Sequence, residues 1–137
     1  MFKKIILIIL FSLSFSNTEK IYFVYNANND FFSIVGDFFH KSFSPQTYPC
    51  ELCKLTYNAV DKKKKWKTFL DTLEYDYEFV YKNSYHKFLN DDTTYPLILF
   101  GDPIYPEILL TTIEINSCSN LDELIELIIN KLSYANK

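Results

Sequence analysis

The order of apolar patterns along the chain most restricts the folds that it can adopt. Short runs rich in β-branched and aromatic residues predict strands, and apolar residues at helical spacing predict helices. In chain order, the sequence predicts a strand at 20–26, helices at 30–43 and 66–73, a strand at 77–81, a short helix at 85–89, strands at 97–100 and 107–111, and a helix at 121–132. Residues 46–58 are predicted to be irregular. Strands alternating with helices favour crossover connections, whereas the last two strands form an antiparallel hairpin before the final helix.

This order of elements resembles the thioredoxin-like fold. The resemblance implies an α/β domain with a central mixed sheet of about four strands flanked by helices. Pro96 ends the run Thr94-Tyr95-Pro96, directly before a predicted strand. It resembles the proline of that fold that is usually cis and faces the active site. The alternative interpretation is a proline that only begins a strand, where no ladder N–H is required.

The composition is that of a folded globular domain. Hydrophobic residues make up 48% of the 137 residues and aromatic residues 18%, which favours burial over solvation and excludes ordinary disorder. Only 2 glycines and no sustained heptad exclude collagen-like and coiled-coil chains. The length fits one domain, which we place at residues 17–137.

Residues 1–16 have the pattern of a secretory signal peptide. Lys3 and Lys4 precede an apolar run, and the run Ser14-Phe15-Ser16 places small residues where a signal peptidase requires them. The apolar stretch is shorter than the ~20 residues that a bilayer-spanning helix needs. The alternative is a buried edge strand. We expect an exported protein, periplasmic or secreted, with no stable membrane span after cleavage.

A lysine-rich run at 62–67 raises the question of nucleic-acid binding. The chain has 14 lysines and no arginine, and loss of the leader lowers its formal net charge from −3 to −5. Affinity for nucleic acid depends on counterion release by a broad basic surface. We therefore expect a solvated helix face and no nucleic-acid partner.

Cys50 and Cys53 are the residues most indicative of chemistry. Two thiols three residues apart can exchange disulfides with protein thiols, share a metal ion or form a stabilising disulfide. In the redox interpretation Cys50 is the attacking thiolate, because it is nearer the helix start that Pro49 allows. Cys53 then resolves the mixed disulfide, and Pro96 shapes the surface that receives substrate.

The position of the cysteine pair argues against a thioredoxin-type enzyme. In that family the pair directly follows the first strand. Here residues 26–29, Asn-Ala-Asn-Asn, occupy that place, and the cysteines follow one predicted helix later. The order of elements therefore does not require the thiols to lie beside Pro96.

The two other interpretations of the cysteines describe a binding or scaffold domain rather than an enzyme. Zinc needs about four ligands, so Cys50 and Cys53 would have to be joined by others, and the candidates are Cys118, His86 and His40, with Cys118 and His86 preferred. A stabilising disulfide would persist in an oxidising compartment, although its short loop brings little entropic gain. Cys118 by itself is expected to be buried and inert.

Three segments also resemble a group of small bacterial proteins whose activity is not established. They are Tyr-Asn-Ala at 25–27, Thr-Tyr-Pro-Cys-Glu-Leu-Cys-Lys-Leu-Thr at 47–56 and Lys-Trp-Lys-Thr-Phe at 65–69. Those proteins carry a strand ending in Tyr-Asn-Ala, then Tyr-Pro-Cys-x-Leu-Cys-x-Leu-Thr and a lysine-rich helix with a tryptophan. The resemblance covers the chain from about residue 20 to its last helix and implies a shared fold, not a mechanism.

Overall fold

The computed structural model describes residues 18–27, 50–58, 61–81 and 92–137. Its elements in chain order are β1 (Lys20–Val24), α1 (Glu51–Thr56), α2 (Lys64–Asp71), β2 (Asp76–Val80), β3 (Leu97–Gly101), β4 (Glu107–Leu110), α3 (Thr112–Ser117) and α4 (Leu121–Ala135). The predicted leader at 1–16 and the helices predicted at 30–43 and 85–89 lie outside the described residues.

The four strands form one mixed sheet in the order β2-β1-β3-β4. β1 runs parallel to β2 and antiparallel to β3, and β4 returns antiparallel to β3. The parallel pair requires a crossover connection, whereas β3 and β4 are joined by a short hairpin. The prediction of an α/β domain with a central mixed sheet flanked by helices is confirmed, and its strand order is consistent with a thioredoxin-like arrangement.

β1 is paired on both sides, and its residues are buried on both faces of the sheet. Successive side chains of a strand point to opposite faces. Ile21 and Phe23 therefore join the large core that the helices cover, while Tyr22 and Val24 pack with Leu99 on the other face. An uninterrupted apolar run is typical of such a central strand. This is why the first strand could be predicted from its residues alone.

The larger core lies between the sheet and the described helices. Trp66 on α2 is fully buried at its centre, with its ring 5.1 Å from that of Phe23 and 5.3 Å from that of Phe69. α4 contributes a buried stripe at helical spacing, namely Leu121, Leu124, Ile128 and Leu132. Burial of each such aliphatic side chain stabilises the fold by about 1.5–3 kcal/mol. α2 and α4 are thus held against the sheet by the apolar faces that the sequence predicted.

The prediction of an irregular segment at 46–58 is wrong for residues 51–56, which form α1. Cys50 has an extended backbone and its sulfur accepts a hydrogen bond from the backbone N–H of Cys53 at 3.2 Å. That bond satisfies one of the donors left open at a helix start. Leu52 and Leu55 are buried in the core, so tertiary packing stabilises a helix too short to be stable alone.

α3 was not predicted, although the sequence contains a signal for it. Thr111 and Glu114 form a capping box, in which the threonine oxygen accepts the Glu114 N–H and the glutamate accepts the Thr111 N–H. Ile115 is the buried residue of this six-residue helix. A helix with one buried residue has no apolar periodicity, so only its cap could have indicated it.

The turn after β3 begins with Gly-Asp-Pro at 101–103, residue types that favour turns. Gly101 has φ of +121°, a conformation that side chains disfavour, and the carboxylate of Asp102 accepts the N–H of Ile104 at 2.7 Å. The turn directs β4 back along β3.

The side chain that caps the start of α4 allows its contribution to the free energy of unfolding to be measured. The side chain of Asn120 accepts the N–H of Glu123 at 3.0 Å. We expect Asn120→Ala to lower the free energy of unfolding by about 1 kcal/mol, because that donor loses its partner. Urea denaturation followed by circular dichroism measures the change. Asn130→Ala, an exposed interior position of the same helix, is the matched control and is expected to be neutral or slightly stabilising. Equal effects of the two variants would contradict the capping role.

No helix in the described ranges has both the length and the apolar character needed to cross a membrane. The expected cleavage after Ser16 and the expected export remain predictions.

Candidate functional site

A cavity of about 320 Å³ opens at the edge of the sheet where β1 ends and β3 begins. Its wall is formed by Asn26, Cys50, Glu51, Lys54, Tyr95, Pro96 and Asn116. These residues come from separate parts of the chain: the residues after β1, the first turns of α1, the residues before β3, and α3. The topology of the sheet and the packing of α1 and α3 bring them together.

Cys50 and Cys53 form a disulfide, with an S–S distance of 2.04 Å and a Cα–Cα distance of 5.3 Å. Cys50 caps the start of α1 and Cys53 lies in its first turn, which brings their Cα atoms within the distance that a disulfide requires. Cys50 is 5% exposed and lies on the cavity wall, whereas Cys53 is fully buried. Of the two cysteines, Cys50 is therefore the one that lines the cavity.

Pro96 lies on the wall of the same cavity as Cys50, and the Tyr95–Pro96 peptide bond is cis. The order of elements did not require this proximity. It arises because α1 packs on the face of the sheet above the end of β1, so the helix start reaches the edge where β3 begins.

Glu51 and Lys54 place one negative and one positive charge on the cavity wall. Their carboxylate oxygen and ammonium nitrogen are 3.1 Å apart, one turn of α1 from each other. Both side chains are partly exposed, so the pair adds little stability. Its main consequence is electrostatic, because the two charges compensate each other beside Cys50.

A buried hydrogen-bond chain anchors α1 to the sheet. Thr56 donates its hydroxyl hydrogen to the carbonyl oxygen of Leu52 at 2.7 Å, and its oxygen lies 3.1 Å from the hydroxyl of Tyr25. Since the threonine hydrogen is used, the Tyr25 hydroxyl is the donor in the second bond. Burial raises the pKa of Tyr25 far above its ordinary value, so this donor stays protonated. The end of β1 thereby holds the helix that carries the disulfide.

Cys118 is buried as predicted and is a free thiol at the end of α3. Its sulfur donates to the carbonyl oxygen of Glu114 at 3.5 Å. Burial, followed by the charges of Glu123 and Glu114, raises the pKa of this thiol, so it is protonated at neutral pH. It lines a separate cavity, bounded mainly by residues of α4.

The zinc alternative would join Cys50, Cys53, Cys118 and His86, and the structure tests it only in part. Cys50 and Cys53 are bonded to each other, and only the reduced pair has thiolates to offer a metal. His86 and His40 lie outside the described residues. Among the residues that are described, no group of three histidine, cysteine or acidic side chains is arranged to hold a metal ion.

The lysine-rich segment is engaged in contacts within the domain. Lys65 pairs with Asp122, and Lys67 pairs with Asp61. Lys62 lies over the ring of Phe79, with its nitrogen 4.3 Å from the ring centre, and burial lowers its pKa. These contacts within the domain explain the presence of three of the lysines without a nucleic-acid partner. The absence of such a partner remains a prediction.

Sequence reasoning identified the two cysteines and Pro96 but missed the polar residues around them. In the sequence, Asn26 occupies the place where a thioredoxin-type enzyme carries its cysteine pair. No sequence pattern indicated a role for Asn116 in the site. The capping box before α3 was the available signal for Asn116, because it predicts a helix directly after the hairpin. Its position beside Cys50 depends on tertiary packing.

Comparison of the chain with protein families, curated proteins and solved structures finds no match. The functional argument therefore depends on the residues and geometry described above.

Proposed function

We propose that this protein is an exported thioredoxin-like domain that exchanges disulfides with other proteins through Cys50 and Cys53. The observation that carries the proposal is the placement of the disulfide at an open polar cavity, with Cys50 and Pro96 on its wall and Cys53 fully buried. A disulfide that only stabilises the fold does not require a cavity next to one of its cysteines.

The proposed reaction transfers two electrons between the pair and a substrate disulfide. In the reduced protein, the Cys50 thiolate attacks one sulfur of the substrate disulfide, forms a mixed disulfide and releases one substrate thiolate. The Cys53 thiolate then attacks the Cys50 sulfur, which releases the second substrate thiolate and forms the Cys50–Cys53 disulfide. The substrate gains two electrons and the protein loses two. The reverse sequence oxidises a substrate dithiol.

The assignment of Cys50 as the attacking residue has two supports. Cys50 lines the cavity, from which a substrate sulfur can approach it. It also accepts the backbone N–H of Cys53, a bond that would strengthen when the sulfur is negatively charged. The ammonium of Lys54 on the same wall adds positive charge near it, although Glu51 compensates much of that charge.

The reduction potential of the pair tests the proposal. The full chain is equilibrated in defined glutathione buffers, trapped by alkylation and analysed by mass spectrometry. We expect a midpoint above about −270 mV, within the range of disulfide-exchange proteins. A midpoint below about −300 mV, typical of structural disulfides, would contradict it. Cys118→Ser should leave the midpoint unchanged, because that thiol is buried and lines another cavity.

A non-catalytic binding or scaffold domain is the alternative. The observation in its favour is that both cysteines are at least nine-tenths buried. This alternative predicts the low midpoint. If the pair instead holds zinc, the reduced protein should bind one equivalent of the metal, and Cys50→Ser should lose it.

A further inference from the structure

We propose that the cavity beside Cys50 selects disulfides carried by uncharged, hydrophilic peptide segments, with Asn26 and Asn116 as its specificity-determining residues. This inference rests on the proposed exchange activity and adds the substrate class. It follows from the chemistry of the cavity wall.

Two asparagines line the same cavity from independent elements. Asn26 follows β1, and Asn116 lies on α3. Within the described part of the chain neither side chain makes a hydrogen bond, so both are available to a ligand. Each carboxamide has two donor hydrogens and one acceptor oxygen, which pair with the hydroxyl of serine and the carboxamide of glutamine as well as with peptide groups. Such a pair suits uncharged polar side chains on either side of a substrate cysteine.

The charges of the wall do not favour a charged substrate. Glu51 and Lys54 are paired at 3.1 Å, so one compensates the other. A strongly acidic or basic segment would have to break this pair to gain an attractive charge, and it would then face the repelling partner. An uncharged polar segment leaves the ion pair intact.

The apolar part of the wall is small. Besides the Cys50 sulfur it consists of Tyr95 and Pro96. Highly exposed apolar side chains occur elsewhere, with Ile104 and Tyr105 in the turn at the opposite end of β3, and Ile113 on α3 outside the cavity wall. An unfolded chain rich in leucine and valine would therefore displace water from the polar wall, and its apolar side chains would find no matching apolar surface there.

The test measures how fast the reduced full-length protein reacts with disulfide probes. Three probes are symmetrical disulfides of short peptides whose cysteine is flanked by serine and glutamine, by leucine and valine, or by glutamate. The fourth is 2-hydroxyethyl disulfide, which has no peptide groups. We expect the serine–glutamine probe to react at least about fivefold faster than the other two peptides, the difference that one or two hydrogen bonds provide.

Two variants test the assigned residues. Asn26→Ala and Asn116→Ala are each expected to lower the ratio of the serine–glutamine rate to the 2-hydroxyethyl disulfide rate by roughly three- to tenfold. Asn116 is exposed on its helix, so its variant is expected to fold even if the Asn26 variant does not. Asn130→Ala, on α4 and lining a different cavity, is the matched control and should change no rate.

The outcomes separate this inference from the activity on which it rests. Rapid reaction with 2-hydroxyethyl disulfide but equal rates for the three peptides would overturn the substrate class alone. The same follows if the Asn variants slow all four probes equally, because the residues would then position the thiol rather than recognise peptide. If wild-type protein reacts with 2-hydroxyethyl disulfide no faster than free cysteine does, the exchange activity fails, and this inference with it.

Discussion

Replacement of Cys50 by serine is expected to abolish disulfide exchange, with a loss of at least about a thousandfold in rate. A serine hydroxyl is not ionised near neutral pH and cannot form the mixed disulfide. Cys53 is not an adequate substitute, because it is fully buried and does not lie on the cavity wall. The rate is measured with the reduced full-length protein and 2-hydroxyethyl disulfide under single-turnover conditions.

Cys53→Ser provides the informative comparison. In this variant Cys50 can still attack, but no second thiol resolves the product. We expect a stable mixed disulfide, visible by mass spectrometry as the protein plus one half of the probe, attached at Cys50. Cys118→Ser is the control and should retain the wild-type rate. If Cys50→Ser retains activity, or if Cys53→Ser accumulates no adduct, the assigned roles are wrong.

Trp66→Ala is expected to destabilise the domain by about 3–5 kcal/mol. The indole is fully buried and packs edge to face on Phe23 of the central strand, while its other neighbour is Phe69 of its own helix. Truncation to alanine removes these ring contacts and leaves a cavity between α2 and the sheet. Trp66→Phe should cost less, because one ring remains in place.

The measurement for Trp66 is urea denaturation of the oxidised protein followed by far-ultraviolet circular dichroism. Fluorescence is unsuitable, since Trp66 is the single tryptophan of the chain. Tyr105→Ala removes an aromatic ring that is 81% exposed, and it should change the free energy of unfolding by less than about 0.5 kcal/mol. Comparable losses for Trp66→Ala and Tyr105→Ala would show that the α2 contact does not stabilise the core as described.

The elements that could be predicted from sequence are those with strong periodicity. The apolar run of β1 and the stripe of α4, from Leu121 to Leu132, are visible because each buries many side chains at a regular spacing. α1 and α3 have six residues each, and they are stabilised by caps and by tertiary contact rather than by a long apolar face. Their existence depends on Cys50, Thr111 and Glu114 more than on periodicity.

The residues of the candidate site likewise divide into those that could be identified from the sequence and those that could not. Cys50, Cys53 and Pro96 could be selected because their chemistry is unusual wherever they lie. Asn26, Glu51, Lys54 and Asn116 are ordinary surface residue types, so nothing in their identity marks them. They acquire a shared role only because they line one cavity.

The amino-acid sequence by itself determined the class of fold, the first strand and the residues able to carry redox chemistry. These properties depend on local patterns and on the chemistry of single side chains, both of which are present in the unfolded chain. Only the tertiary structure decided that Cys50 and Pro96 line one cavity together with two asparagines and an ion pair. That neighbourhood arises from long-range packing of α1 and α3 against the sheet, which joins residues up to ninety positions apart, from Asn26 to Asn116.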